Sequence, residues 1–257
     1  MLVFIAALRR ELAEIDRLLA APVRQQFDGA VFTEGSLDGA RLALVQSGIG
    51  KERSIRATQA ACARYRPSLI ITTGYSGGAS PIVKGGDLVV ADRLMASDEA
   101  GDVASHPPIV LDAALVDASL GWLEEEFVRA HRGTIVSVPR AMPGPRQKAQ
   151  LGAQLQAAAV DMESYWVAQA AREAGTPALA VRAASDTSTD TLPDYERFLD
   201  PMGEVRILSA AWYYATRPWH IPATPGLAAN ARLGARNIAA FAELLLARYP
   251  ATLAVRR

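Results

Sequence analysis

The stretch Val181-Arg182-Ala183-Ala184-Ser185-Asp186 joins an apolar run to a serine and an aspartate, with an arginine inside it. It reads as a buried strand, and the carboxyl ends of strands are where α/β proteins bring ligands to reactive groups. A carboxyl group delivered there, close to an arginine, is poised to act as an acid. Upstream, Val160-Asp161-Met162-Glu163 makes a second apolar-to-acidic step at the expected start of a helix. Two such steps imply one pocket in which two carboxyl groups have separate tasks.

Two glycine clusters could shape its floor. Ser47-Gly48-Ile49-Gly50-Lys51 follows an apolar run and opens a helical pattern. Glycines allow close backbone approach, and a helix N-terminus favours anionic or polar groups. The spacing is too short for a Walker loop, and Arg53 replaces the third glycine of a dinucleotide fingerprint. Thr73-Gly74-Tyr75-Ser76-Gly77-Gly78 reads as a second glycine turn after a strand. Either cluster could equally be a purely structural turn. Glu11 lies one turn into the first helix; it could complement that helix's dipole or reach the same pocket.

Positioning these groups requires a sheet with helices on its faces. Strands are expected at Leu2–Ala6, Val31–Ser36, Arg41–Gln46, Leu69–Thr73, Asp87–Ala91, Gly133–Val138, Ala157–Val160 and Ala178–Arg182. Helices are expected at Leu8–Ala21, Lys51–Tyr65, Asp112–Arg129, Gln147–Gln156, Asp161–Ala174, Glu204–Ala215 and Leu227–Ala247. The alternation predicts an α/β protein, a three-layer α/β/α sandwich around a central sheet. Asp38-Gly39 is a hairpin signal, so the sheet should be mixed. Ala96–Pro108, Pro139–Pro145 and Ser188–Asp200 read as surface loops. Residues 1–257 read as one domain with a helical extension from about residue 203. In that extension Trp212, Tyr213, Tyr214 and Trp219 cluster, either packed on the core or walling an apolar cleft or subunit contact.

Composition narrows the function. Lys+Arg and Asp+Glu both number 27, a balance that argues against nucleic acid or an anionic membrane as partner. The single cysteine, Cys62, fits a reducing cytoplasm. Met1–Ala7 is apolar but is followed at once by Arg9, Arg10 and Glu11, unlike a secretory signal, and no apolar run is long enough for a membrane anchor. His106, His131 and His220 have no metal-site spacing, no Gly-x-Ser-x-Gly elbow is present, and no cofactor or metal is expected.

Taken in order, Ala7 to Glu11, Ser47–Lys51, Thr73-Gly74-x-x-Gly77-Gly78, Asp161-Met162-Glu163 and Arg182-x-x-Ser185-Asp186 resemble the nucleoside phosphorylase and nucleosidase superfamily. Within it they resemble the methylthioadenosine/S-adenosylhomocysteine nucleosidase branch, over about residues 1–200. Arg217-Pro218 and the final helix are similar to hopanoid-associated phosphorylase-like proteins. The resemblance implies a purine nucleoside substrate, cleavage of its N-glycosidic bond and a homo-oligomer of at least two subunits. It makes Asp186 the acid that protonates the departing purine and Glu11 the residue that orients the attacking water. Glu163 would bind the ribose hydroxyls and Met162 would pack on the sugar. Arg182 would organise the acidic groups, and Ile49 would lie near the 5′ substituent. Ser185, Tyr75, Ser76 and Gly77 complete the expected substrate-binding set.

Water is preferred over phosphate as nucleophile because the early Gly-Asp-Pro loop of the hexameric phosphorylases and the arginine before the glycine turn are both absent; residue 72 is Thr72. A phosphate-dependent phosphorylase for a nucleoside with a bulky apolar 5′ group remains the alternative, with phosphate as co-substrate. A non-catalytic nucleoside-binding protein is a second alternative. Two departures from the family bear on the substrate. Tyr75 stands where a small serine is usual, and Val138-Pro139-Arg140-Ala141-Met142-Pro143 offers no aromatic ring to stack on a base.

Overall fold

The structure, a computed structural model, describes residues 1–98, 102–142, 144–194, 197–200, 202 and 205–254. Expectations that fall on Glu99, Pro143, Glu204 and the Trp219 side chain lie outside what is described.

Strand β1 (Leu2–Ala6) is buried along its whole length. It lies parallel between β4 (Ala40–Gln46) and β5 (Leu69–Gly78). A parallel strand covered on both faces has no solvent side, which is why its sequence shows no polar alternation. Its side chains still alternate between layers. Val3 and Ile5 join Ala57 and Ala61 of helix α2 (Lys51–Tyr65) and Val167 and Ala171 of helix α5 (Ser164–Glu173). Leu2 and Phe4 belong to the cluster that contains Leu12 and Ile15 of α1 (Arg9–Leu18), Leu115 and Val116 of α3 (Ala113–Glu125), and Ile238 and Phe241 of α7 (Thr224–Ala254). This is the expected α/β/α arrangement.

The sheet is mixed, as Asp38-Gly39 implied. Next to β4 run the antiparallel β3 (Ala30–Leu37) and β2 (Ala20–Phe27). On its other side β5 pairs in parallel with β10 (Ala178–Asp186), which pairs antiparallel with β6 (Leu88–Ala96). From β6 the order continues through β8 (Ala130–Ser137) to β9 (Ala157–Asp161), both parallel steps. Strand β9 then returns to Gly77 and Gly78 at the end of β5. Five strands thus close into a ring, with β5 shared between the ring and the open half of the sheet. The short β7 (Ile109–Val110) pairs with β6.

Several expectations need correction. The first helix stops at Leu18, and Ala20–Phe27 is a strand rather than a helix end and loop. It is exposed throughout, so no hydrophobic alternation marks it, yet Asp28-Gly29 repeats the hairpin signal of Asp38-Gly39. All four residues of those two turns have positive φ, as a two-residue hairpin loop requires. The segment Thr73–Gly78 is not a turn: β5 runs straight through it, because Gly74 at φ +122° carries the strand across a crowded point. The helix expected from Asp161 begins at Ser164, Asp161 being the last residue of β9. Helix α6 (Ile207–Thr216) starts later than expected, and α7 is longer at both ends.

Candidate active site

The carboxyl ends of β1, β4, β5, β9 and β10 open on one side of the sheet, around a cavity of about 660 Å³. Nine residues anticipated from sequence line it: Glu11, Ile49, Tyr75, Ser76, Gly77, Met162, Glu163, Ser185 and Asp186. Their elements come from distant parts of the chain, so the sheet order alone assembles the group.

Arg182 is the exception. It has no solvent exposure and lies beneath the cavity instead of lining it, so it is not in a position to touch a ligand as a wall residue. Its Nε donates to Ser164 Oγ at 2.8 Å and lies 2.9 Å from Asp161 Oδ2, while Nη2 donates to Thr72 Oγ1 at 3.2 Å and stands 3.7 Å from Glu163 Oε2. A buried arginine can be tolerated only when carboxylates and acceptors surround it in this way. Its Nη1 has no hydrogen-bond partner among the described residues.

Glu11 is buried at the first turn of α1. Oε2 accepts the Leu8 backbone N–H at 2.7 Å and Oε1 accepts the Tyr75 backbone N–H at 2.7 Å. Burial pushes its carboxyl above the usual range, against the pull of Arg182 and of these two N–H groups. Glu163 is the residue before α5, and its Oε1 accepts the Gly50 N–H at 3.0 Å. That contact joins the first glycine cluster, Ser47–Lys51, to the Asp161–Glu163 segment across the pocket. Burial raises the Glu163 carboxyl to about 7; Arg182 opposes the shift, while Asp161 and Glu11 add to it. A carboxylate held in this range can accept hydroxyl donors while remaining sensitive to pH.

Asp186 ends β10 almost fully buried. Oδ1 accepts from Ser185 Oγ at 2.9 Å, and Oδ2 accepts from Lys148 Nζ. Lys148 lies on α4 (Pro145–Leu155), has no solvent exposure, and also donates to the backbone carbonyls of Thr187 at 2.8 Å and Asp190 at 3.0 Å. Burial raises the Asp186 carboxyl, and the Lys148 ammonium acts against it. The hydroxyl of Ser76, buried on the cavity wall, has no partner among the described residues.

The family model for the phosphorylase superfamily matches residues 2–211. The chain belongs to the phosphorylase superfamily. Among curated superfamily proteins, the 5′-methylthioadenosine/S-adenosylhomocysteine nucleosidase of Geobacillus thermodenitrificans is 30% identical over 208 residues, 76% of this chain and 85% of that protein. The Haemophilus influenzae protein of the same name is 30% identical over 71% of this chain and 84% of its own length. Among solved structures, the Colwellia psychrerythraea nucleosidase in complex with adenine superposes with a TM-score of 0.75 at 23% identity, covering 96% of this chain and 94% of that one. The native futalosine hydrolase of Helicobacter pylori gives 0.72 at 19% identity, covering 94% and 97%. These superpositions establish the superfamily fold.

Sequence reasoning missed Lys148, which in a helix reads as an ordinary solvated charge; no local signal separates it from its neighbours. It also missed the far wall. Leu227, Ala231 and Ala235 of α7, beyond the region the family model matches, line the cavity together with Phe198 and Tyr214. Val138, Ala141 and Met142 from the segment without aromatics line it as well. Tyr213 is buried and lies in ring contact with Phe198, Tyr214 and His220, whereas Trp212 is exposed. Of the two readings of the aromatic cluster, the cleft wall holds for Tyr214, while Tyr213 is buried among its own aromatic neighbours. Among the described residues no group of histidine, cysteine, aspartate and glutamate side chains could hold a metal ion, and no helix is long and apolar enough to cross a membrane.

Proposed function

We propose that this superfamily member is a nucleosidase that hydrolyses the N-glycosidic bond of a 5′-substituted adenosine, needing neither metal nor organic cofactor. The observation that carries the reading is the convergence of Asp186, Glu163 and Glu11 on one cavity, in a chain whose curated relatives are named nucleosidases.

Breaking the bond leaves an oxocarbenium-like ribosyl group and expels a purine. Asp186 gives its proton to N7 of the base, so that the bond's electron pair departs on a neutral purine. Glu163 accepts hydrogen bonds from the ribose 2′ and 3′ hydroxyls, and its negative charge favours the cationic sugar. Glu11 orients the water that adds to C1′ and takes its proton. Met162 packs on the sugar, Ile49 faces the 5′ substituent, and the Ser76 hydroxyl and Ser185 address the polar edge of the ligand. Arg182 supports this set from below by balancing Asp161, Glu163 and Glu11.

Water is favoured over phosphate on physical grounds. A phosphate would need free N–H donors at the glycine segment, but Glu11 already accepts the N–H groups of Leu8 and Tyr75. A buried carboxylate at that place also repels an anion. The second reading, a phosphorylase for a nucleoside with a large apolar 5′ group, is favoured by one feature: Phe198, Leu199, Val205 and Leu227 give the cavity an apolar wall. Because α7 supplies part of that wall, the chain acts as a single unit. The deciding assay measures free base from a panel of nucleosides in phosphate-free and phosphate-containing buffer. Equal rates support hydrolysis; strict phosphate dependence supports the second reading and removes Glu11 from its role.

A further inference from the structure

Asp186 does not sit in the cavity alone. Its Oδ2 is taken by Lys148, and the three N–H bonds of the Lys148 ammonium are all used, on Asp186 Oδ2 and the carbonyls of Thr187 and Asp190. Only Oδ1 remains for a ligand, bonded by the neighbouring Ser185 hydroxyl. We propose that Lys148 is the positioning residue of the acid: it pins Oδ2, turns Oδ1 toward the base, and stabilises the carboxylate left behind once the proton has gone.

The surrounding packing is built for this contact. The Lys148 stem passes over Gly77, where an added Cβ would stand 3.2 Å from Lys148 Cδ and 3.3 Å from Asp186 Oδ2. Helix α4 is held against the end of the shared strand at Gly152, where a Cβ would meet the Ala79 carbonyl oxygen at 2.2 Å. Two glycines thus bring a helix close enough for a fully buried lysine to reach the acid. A charge in such a place is costly unless paired, and among the described residues Asp186 is the one acidic side chain on the Lys148 ammonium. Asp190, on the loop after β10, also acts on Asp186; the other charged side chains on the cavity wall are Arg10, Glu11, Glu14 and Arg17 of α1, Asp161 at the end of β9, Glu163 before α5 and Arg232 of α7.

The proposal rests on the nucleosidase reading, and the proton balance follows from it. The Oδ1 proton of Asp186 passes to N7 as the C1′–N9 bond breaks with its electron pair going to the purine. Asp186 becomes the carboxylate that the Lys148 ammonium is placed to hold. Water adds to C1′ and gives its proton to Glu11, and exchange with solvent restores both carboxyl groups. Lys148 therefore makes Asp186 a stronger acid, and it also lowers the pH at which the acid's proton is lost. A residue serving only to fill space would do neither.

The test is the pH profile of kcat for base release by the full chain with methylthioadenosine, for wild type, Lys148→Met, Lys148→Gln and Lys148→Arg, with thermal melting as a check on folding. Without the ammonium, the alkaline limb should move up by about 1 pH unit or more, and kcat at the optimum should fall by about 10-fold or more. Lys148→Arg should return the limb toward its wild-type position. Lys148→Gln keeps a donor for the loop carbonyls, so it reports on the charge even if the methionine variant does not fold. A limb that stays in place in either neutral variant, with only melting affected, overturns the proposal and leaves the nucleosidase reading intact. Failure of the wild type to release base from any nucleoside overturns both.

Discussion

Glu11 Oε1 accepts the Tyr75 backbone N–H at 2.7 Å, across a gap that exists only because residue 74 has no side chain. A Cβ on Gly74 would lie 2.7 Å from the Glu11 carboxyl and 2.9 Å from Arg182 Nη1, and the residue has φ +122°. A glycine thus leaves free the space in which a helix carboxylate and a buried guanidinium meet on one face of the strand.

Gly74→Ala should therefore damage both stability and the site. The backbone strain alone costs about 1–3 kcal/mol, which for a chain of this size lowers Tm by about 2–4 °C per kcal/mol. Differential scanning calorimetry measures it. Activity should fall further than the lost stability explains, because Glu11 has to move. A variant with unchanged Tm would show that the strand relaxes freely at this point.

Glu11→Gln keeps the shape of the side chain but removes the base that takes the water's proton. We expect kcat to fall by about 10²–10⁴-fold, with the Kd of a non-cleaved adenosine analogue changed little. Loss of binding in proportion to loss of rate would reassign Glu11 to the substrate-binding set.

Glu163 should make both ligand binding and stability depend on pH. Its carboxyl is raised from 4.5 to about 7 in the folded chain, so the folded state holds a proton that the unfolded state releases between those values. By linkage, its contribution to stability is present in full below the unfolded value and is lost as pH rises toward 7. The shift corresponds to about 3 kcal/mol at most. Chemical denaturation from pH 4.5 to 8 should show this slope in wild type and a shallower one in Glu163→Gln, the difference isolating Glu163 from Glu11 and Asp186, whose carboxyls burial also raises. Binding of a nucleoside analogue should run the other way, tightening as Glu163 ionises near pH 7. A slope unchanged in the variant would place the titration elsewhere.

Phe198 tests the reach of the cavity. Phe198→Ala removes an apolar wall and should raise KM for methylthioadenosine by about 10-fold, since a lost apolar contact of this kind is worth about 1–3 kcal/mol. KM for adenosine, which carries no such substituent, should change little. An equal effect on both substrates would put Phe198 near the base or sugar instead.

The way these residues were legible, or not, has a physical pattern. Asp186, Glu163 and Glu11 stand out because each follows an apolar strand, and a strand end is a place that local sequence can mark. The ring closed by β9 on Gly77 and Gly78 is invisible locally, since pairing between strands so far apart in the chain leaves no periodic trace. Strand β2 faces solvent throughout and so carries no alternation to detect. Lys148 illustrates the same limit for chemistry: only the tertiary packing at Gly77 and Gly152 distinguishes it from a surface lysine.

The central claim is that Asp186 supplies the proton that lets the purine leave. The most direct measurement is adenine release from methylthioadenosine in phosphate-free buffer by wild type and Asp186→Asn, alongside the Kd of a non-cleaved analogue for each. The account predicts release by the wild type, a fall of about 10²-fold or more in the variant, and a Kd within a few-fold of wild type. Release by Asp186→Asn at the wild-type rate would contradict it.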